Sequence, residues 1–292
     1  IVVVAAAGNL GKSATGQTVY GRIHSPGNSP YALTVGASNT YGTATMADDS
    51  IATFSSRGPT RSYYTNAAGA KVYDNLVKPD LVAPGNKLIS YKSAGNLISL
   101  ENTALSLPLA LGQSAADADM AMSGTSMSAP VVAGASALLM QVNPNLTPGM
   151  VKMLLEYTAK PIAGANMLAQ GAGEANIEGA VRLARTLRTD VDFQTLAKGT
   201  TMVPTGWVMP ATASTIGGNT FTWSQMVVAN QSFLTGANLV SQYQLIYRRE
   251  NTLGTGITST NGVFALNTTT NFSTGLVVNG NVMTSNGGAD RK

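Results

Sequence analysis

The chain has 292 residues, of which 44% are hydrophobic, enough to fill one large α/β core with an appendage, and this excludes disorder throughout. Its formal net charge of +4 comes from charged residues that make up only 11% of the sequence, and no stretch gathers basic residues with interleaved aromatics, so no nucleic-acid partner is expected. The absence of cysteine excludes disulfides, thiol catalysis and thiolate metal sites together.

The chain opens on Ile1-Val2-Val3-Val4-Ala5, without an initiator methionine, a basic n-region or a signal-type cleavage site, and further sequence is expected upstream. Residues 1–6 form an apolar run without polar alternation, the pattern of a strand covered on both faces in a parallel sheet, ending at Gly8-Asn9. A second such strand is predicted over residues 32–37, after a loop punctuated by Pro26-Gly27 and Pro30, and a third over 81–83, before Pro84-Gly85. Strands separated by long connections predict an α/β fold.

From Ser126 onward, Met127, Ala129, Val131, Val132, Ala135, Leu138 and Leu139 predict a helix buried on every side, with Pro130 in its first turn and Asn143-Pro144 as its stop. The uncharged stretch 121–142 that contains it is interrupted by Ser123, Gly124, Ser126, Ser128 and Pro130, so a core helix is expected there and no membrane span. Thr147-Pro148 reads as the cap and first residue of another helix, running to about Thr158, and residues 177–187 as an amphipathic one. Beyond Arg188 the composition turns to Thr, Asn, Ser and Gly. The expected division is therefore residues 1–188 as a catalytic-type domain and 189–292 as a β-rich or partly disordered appendage. An outer-membrane barrel there would need alternating strands ending in aromatics, and the tail has few.

The sharpest chemical signal is Gly124-Thr125-Ser126-Met127-Ser128-Ala129-Pro130, which sets a serine at a helix N-terminus. Free backbone N–H groups and the positive end of the helix dipole there favour an oxyanion, and small neighbours admit a substrate backbone. Without such company, Ser126 would read as a plain helix cap and Asn9 as a turn residue.

That heptapeptide resembles the serine motif of the subtilase family of serine proteases. It is joined in family order by Ala6-Ala7-Gly8-Asn9, Ser25-Pro26-Gly27, the segment Tyr31-Ala32-Leu33-Thr34-Val35-Gly36-Ala37, Phe54-Ser55-Ser56-Arg57-Gly58-Pro59, and Lys78-Pro79-Asp80-Leu81-Val82-Ala83-Pro84-Gly85. The resemblance covers residues 1–187 and implies a subtilisin-like parallel sheet between helices, truncated at its N-terminus. It implies Ser126 as nucleophile, and Asn9 as side-chain donor to the oxyanion together with the backbone N–H of Ser126. It further implies Ala6, Ala7, Gly8, Gly124 and Thr125 as substrate-binding residues, protein or peptide substrates, and a secreted or cell-surface location.

The family orders its triad Asp, His, Ser, with the first two upstream of the oxyanion asparagine, so both are expected in a missing N-terminal segment. The sole histidine, His24, follows Asn9 and is rejected as the general base. The resemblance puts it near the floor of the primary specificity pocket; read by itself it is a loop histidine. Asp80 matches an acidic position near a weak cation site in relatives, with the carbonyls of Gly27, Ser29 and Ala32 as further oxygen ligands for calcium, or else it is a structural hydrogen-bonding carboxylate. No other cofactor is expected. Two insertions, near residues 61–76 and 94–119, flank the third strand. The expected function is serine endopeptidase activity through an acyl-enzyme on Ser126, with this chain alone inactive; the alternative is an inactive, subtilase-derived binding or surface protein.

Overall fold

The computed structural model describes residues 1–74, 76–195 and 201–228, and beyond them four strand segments. Strand β1 (Val4–Ala6) pairs in parallel with β2 (Leu33–Asn39), and β3 (Ser50–Ile51) adds antiparallel to the end of β2. A hairpin of β4 (Tyr63–Thr65) and β5 (Lys71–Tyr73) fills the first insertion. β6 (Leu81–Pro84) then returns to the sheet, parallel to β2, with Val35 opposite Leu81 and Ala37 opposite Ala83. β2 is buried at every position from Leu33 to Ser38, as expected of a central strand covered on both faces. The second insertion lies inside an antiparallel ribbon of β7 (Leu88–Tyr91) and β8 (Asp119–Met122), and carries the short helix α1 (Leu97–Glu101).

β8 leads directly into α2 (Thr125–Val142), which packs across β1, β2 and β6 and stops at Asn143 as predicted. Two features of this helix differ from expectation. It begins one residue before Ser126, so Pro130 lies in the second turn, where its ring withholds the N–H that would bond the Ser126 carbonyl. It is also buried on one face only, through Val132, Ala135, Ser136 and Leu139, while Leu138 and Met140 are exposed. Uniform apolarity reports what a helix tolerates on each face, not what covers it.

Thr147 caps α3 (Pro148–Thr158) by accepting from Met150 N–H at 3.2 Å. After the short α4 (Met167–Gln170) comes α5 (Ile177–Ala184), with Asn176 accepting from Gly179 N–H. α5 packs on α2 and α3. Among the described residues every later regular element is a strand: β9 (Ala213–Ile216), β10 (Asn219–Thr222), β11 (Val227–Val228), β12 (Ile257–Thr260), β13 (Val263–Leu266), β14 (Leu276–Val278) and β15 (Asn281–Met283).

The core does not stop at residue 188. Phe193, Met202, Val203, Trp223 and Val227 join Leu154, Leu155 and Leu183 in one buried cluster. Trp223 is wholly buried, sets its ring edge-on to Tyr157 and donates from Nε1 to Ser214 Oγ at 2.9 Å. Buried packing therefore continues past residue 188, to Val227. The anchoring residues are too sparse in a Thr- and Asn-rich segment to show as a periodic pattern. The remainder of the expected appendage, apart from β12 to β15, lies outside the described residues.

A buried ion cluster ties the sheet to α3. Asp80 is fully buried; its Oδ2 accepts from Thr34 N–H at 2.6 Å and from Lys78 Nζ at 2.7 Å, and its Oδ1 pairs with Lys152 Nζ at 2.9 Å. Burial pushes the Asp80 carboxyl up, but Lys152, Lys78 and the Thr34 N–H together hold it below the ordinary carboxylate range. Burial also lowers the Lys78 ammonium to about 8, against the opposing pull of Asp80. Asp80 is thus held by protein groups, as a structural carboxylate. Two ammonium groups already neutralise the carboxylate, and the carbonyls of Gly27, Ser29 and Ala32 accept from Thr34 Oγ1, Ala32 N–H and Lys78 Nζ respectively.

Replacing Asp80 by Leu strands Lys78 in the core, and is expected to cost about 3–5 kcal/mol of stability in denaturant unfolding, most of it restored by adding Lys78→Met. Because its folded pKa is depressed, the Asp80 contribution is present above the ordinary carboxylate pKa and is lost as pH falls through the lower folded value. Unfolding followed from pH 5 to 2 should show a steeper acid loss in the parent than in the double variant.

Candidate active site

The end of β1 and the start of α2 meet through one side chain. Thr125, wholly buried, accepts from Gly8 N–H at Oγ1 (3.0 Å) and donates from Oγ1 to Asn9 Oδ1 (3.0 Å), which also accepts from Thr125 N–H (2.9 Å). With its oxygen engaged twice, the Asn9 carboxamide presents Nδ2, which has no hydrogen-bond acceptor among the described residues. Ser126 is exposed at the first turn of α2, and neither its backbone N–H nor its Oγ has a protein partner among the described residues.

The two free donors converge. A Cβ on Gly124 would begin 3.4 Å from Asn9 Nδ2 and 3.7 Å from Ser126 N, so both N–H groups border the space that this glycine leaves empty. Gly124 itself has φ +156° and ψ 157°, a region essentially restricted to glycine. An oxygen bearing negative charge beside Gly124 would face two N–H donors and the positive end of an 18-residue helix dipole.

The turn that carries Asn9 is held from the opposite side by the Phe54-Ser55-Ser56-Arg57 segment. Ser56 N–H donates to Gly8 O at 2.9 Å, Ser56 Oγ accepts from Leu10 N–H at 3.0 Å, and the buried Arg57 donates from Nη1 to Gly11 O at 3.0 Å. Burial lowers the Arg57 guanidinium from its ordinary pKa, with Tyr20 acting in the other direction. A Cβ on Gly8 would lie 2.9 Å from Ser56 Oγ and 3.0 Å from His24 Cγ, and the φ of Gly8 is +108°, so only glycine fits between these side chains. Below α2, Gly124 N–H donates to Gly85 O at 2.8 Å, and the buried Ser128 donates from Oγ to Ala83 O at 3.0 Å.

Of the residues expected to form the site, Asn9, Ser126 and His24 are exposed; Gly8 lies against the His24 ring, and Gly124 lies near Asn9 Nδ2 and Ser126 N. Ala7 and Thr125 are buried and act from beneath: Ala7 N–H donates to Val35 O at 2.9 Å and Ala7 O accepts from His24 N–H at 3.0 Å. Ala6 is half-buried in β1. The His24 ring lies against Gly8 and makes no hydrogen bond among the described residues. Sequence reasoning overlooked the roles of Ser56 and Ser128, although both stand inside motifs already singled out. Their signal was a small hydroxyl residue between positions too tightly packed for a larger one.

Thr125→Val keeps the shape of the bridge and its backbone N–H but removes the acceptor for Gly8 and one of the two donors that orient Asn9. It is expected to lower stability by about 1–3 kcal/mol in denaturant unfolding, with Thr125→Ser restoring most of the loss.

The model of the subtilase family matches residues 1–182 of this chain. The serine protease AprX of Bacillus subtilis is 39% identical over 181 residues, which cover 62% of this chain and 35% of the Bacillus protein. The subtilisin-like protease SBT1.9 of Arabidopsis thaliana is 35% identical over 126 residues, 43% of this chain and 14% of that protein. Among solved structures, fervidolysin from Fervidobacterium pennivorans, a keratinolytic enzyme related to subtilisin, shares 25% identity over 62% of this chain and 22% of its own, with a TM-score of 0.44. The chain thus spans about a third of the length of the Bacillus relative and less of the others. With its family match extending over more than half of the sequence and including both Asn9 and Ser126, the chain belongs to the subtilase family.

Proposed function

We propose that this chain carries the nucleophile and the oxyanion site of a serine endopeptidase. The observation that carries the reading is the convergence of Asn9 Nδ2 and Ser126 N–H on the space beside Gly124, next to an exposed serine hydroxyl. In this reading Ser126 Oγ attacks the carbonyl carbon of the scissile peptide bond, and the oxyanion that forms is held by the two N–H donors. Collapse of the tetrahedral intermediate breaks the C–N bond and releases the amine, and water then hydrolyses the acyl-enzyme on Ser126. Protein or peptide chains are the substrates. The His24 ring, lying on Gly8 beside Asn9, borders the first side chain accepted.

The general base and its orienting carboxylate belong to a segment outside residues 1–292. Three features support this: the Ser126 hydroxyl has no partner among the described residues, β1 is paired with β2 along one edge and with no described strand along the other, and α2 leaves Leu138 and Met140 exposed. A further parallel strand and helix would cover these surfaces and bring the missing groups to Ser126. Without them this chain retains only the residual catalysis of oxyanion donors and binding, about 10³–10⁴ over water in serine proteases. Export to the cell surface or beyond is part of the same proposal, tested by fractionation.

Labelling with a fluorophosphonate, read by intact mass, tests the reading on the full-length protein and on this chain. The full-length protein should be labelled and its Ser126→Ala variant unlabelled, with this chain alone far slower. Asn9→Ala in the full-length protein should lower kcat by about 10²–10³ with little change in KM. A folded full-length protein that resists labelling would replace the enzyme with a subtilase-derived binding protein.

A further inference from the structure

The hairpin β4–β5 is not used by the site described above, yet it is firmly attached beside it. At its base the buried Thr60 donates N–H to Leu76 O at 3.0 Å, accepts from Leu76 N–H at Oγ1 (2.8 Å) and donates from Oγ1 to Asp74 Oδ1 (2.6 Å). The hairpin is then joined to the loop of residues 20–28. Asn28 Nδ2 donates to Ser62 Oγ at 2.9 Å, and a Cβ on Gly21 would lie 3.3 Å from Arg61 Cγ. That same loop holds the His24 ring against Gly8, next to Asn9.

What the hairpin presents to solvent is aromatic and cationic. Tyr63 and Tyr64 are 51% and 62% exposed, and Tyr63 meets Tyr73 edge-on at 5.5 Å. The Arg61 guanidinium lies 4.3 Å over the Tyr73 ring and Lys71 Nζ lies 4.2 Å over the Tyr63 ring, so both cations are oriented in advance. Contact with Tyr63 raises the pKa of Lys71 from its ordinary value. Neither cation, nor the exposed Arg22 on the adjoining loop, has a carboxylate partner among the described residues, and the hairpin's one described acid, Asp74, is engaged by Thr60. Cations on aromatic faces, neither of them paired with a carboxylate among the described residues, are complementary to carboxylates on an extended chain.

We propose that hairpin β4–β5, through Arg61, Lys71 and their tyrosines, is an accessory binding surface for acidic segments of polypeptide substrates, away from the scissile bond. This rests on the endopeptidase reading for its purpose, but binding can be measured without catalysis. Two peptides are compared that share one cleavage sequence and differ in a flanking segment of aspartates or of lysines. Fluorescence anisotropy with the full-length Ser126→Ala protein gives Kd, and kcat/KM is measured on the active protein. The acidic peptide should bind about three- to tenfold more tightly at low salt, with a matching preference in kcat/KM, and the advantage should shrink as salt is raised. It should vanish in Arg61→Gln/Lys71→Gln and persist in Arg61→Lys/Lys71→Arg, which keeps both charges. Equal binding of the two peptides, or an acidic preference that survives the neutral double variant, overturns the proposal. So does binding of a sulfated polysaccharide without binding of the acidic peptide. Acidic-selective binding without cleavage of either peptide leaves the surface in place and sinks the protease reading.

Discussion

The Thr125 side chain is the constraint on which the candidate site depends. It links two segments 116 to 117 positions apart in sequence, one ending a strand and the other opening a helix, and it does so with both hydrogen-bonding capacities of one hydroxyl. By taking the carboxamide oxygen of Asn9, together with its own N–H, it leaves Nδ2 directed outward with no rotameric ambiguity. A donor held in this way needs no reorganisation when charge appears beside it, and preorganisation of that kind is where such sites gain most of their rate. The surrounding segments serve the same end: Ser56 and Arg57 hold the Asn9 turn from one side, and Gly85 and Ser128 seat the helix start from below.

The parallel strands, the helix stop at Asn143 and the Thr147 cap were all legible in the sequence, because each is set by local pattern. The grouping of Asn9 with Ser126 was legible only through family resemblance, since no periodicity relates residues so far apart. Other features are tertiary and escaped it. Lys152 reaches Asp80 from α3, and with Lys78 it makes Asp80 the centre of a buried ion cluster that no local pattern announces. Trp223 docks on α3 through a ring contact with Tyr157 and on β9 through a side-chain hydrogen bond to Ser214, which composition alone conceals. The exposed face of α2 was missed for a related reason: apolar side chains on every face show that burial is possible, and the neighbour decides whether it happens.

The two insertions sit differently with respect to the site. The ribbon of β7 and β8 runs straight into Gly124, so its second strand fixes where the helix begins. The β4–β5 hairpin instead attaches to the loop behind Gly8 and adds an aromatic, positively charged surface to a chain otherwise poor in charge. Conserving a rigid centre while varying what surrounds it is how one fold acquires different substrates.

The most direct test of the central claim is a crystal structure of the full-length protein with a peptide aldehyde. A covalent bond from Ser126 Oγ to the aldehyde carbon is expected, with the resulting oxygen about 2.7–3.1 Å from both Asn9 Nδ2 and the Ser126 N–H, beside Gly124. An adduct on another residue, or an oxygen turned away from Asn9, would contradict it.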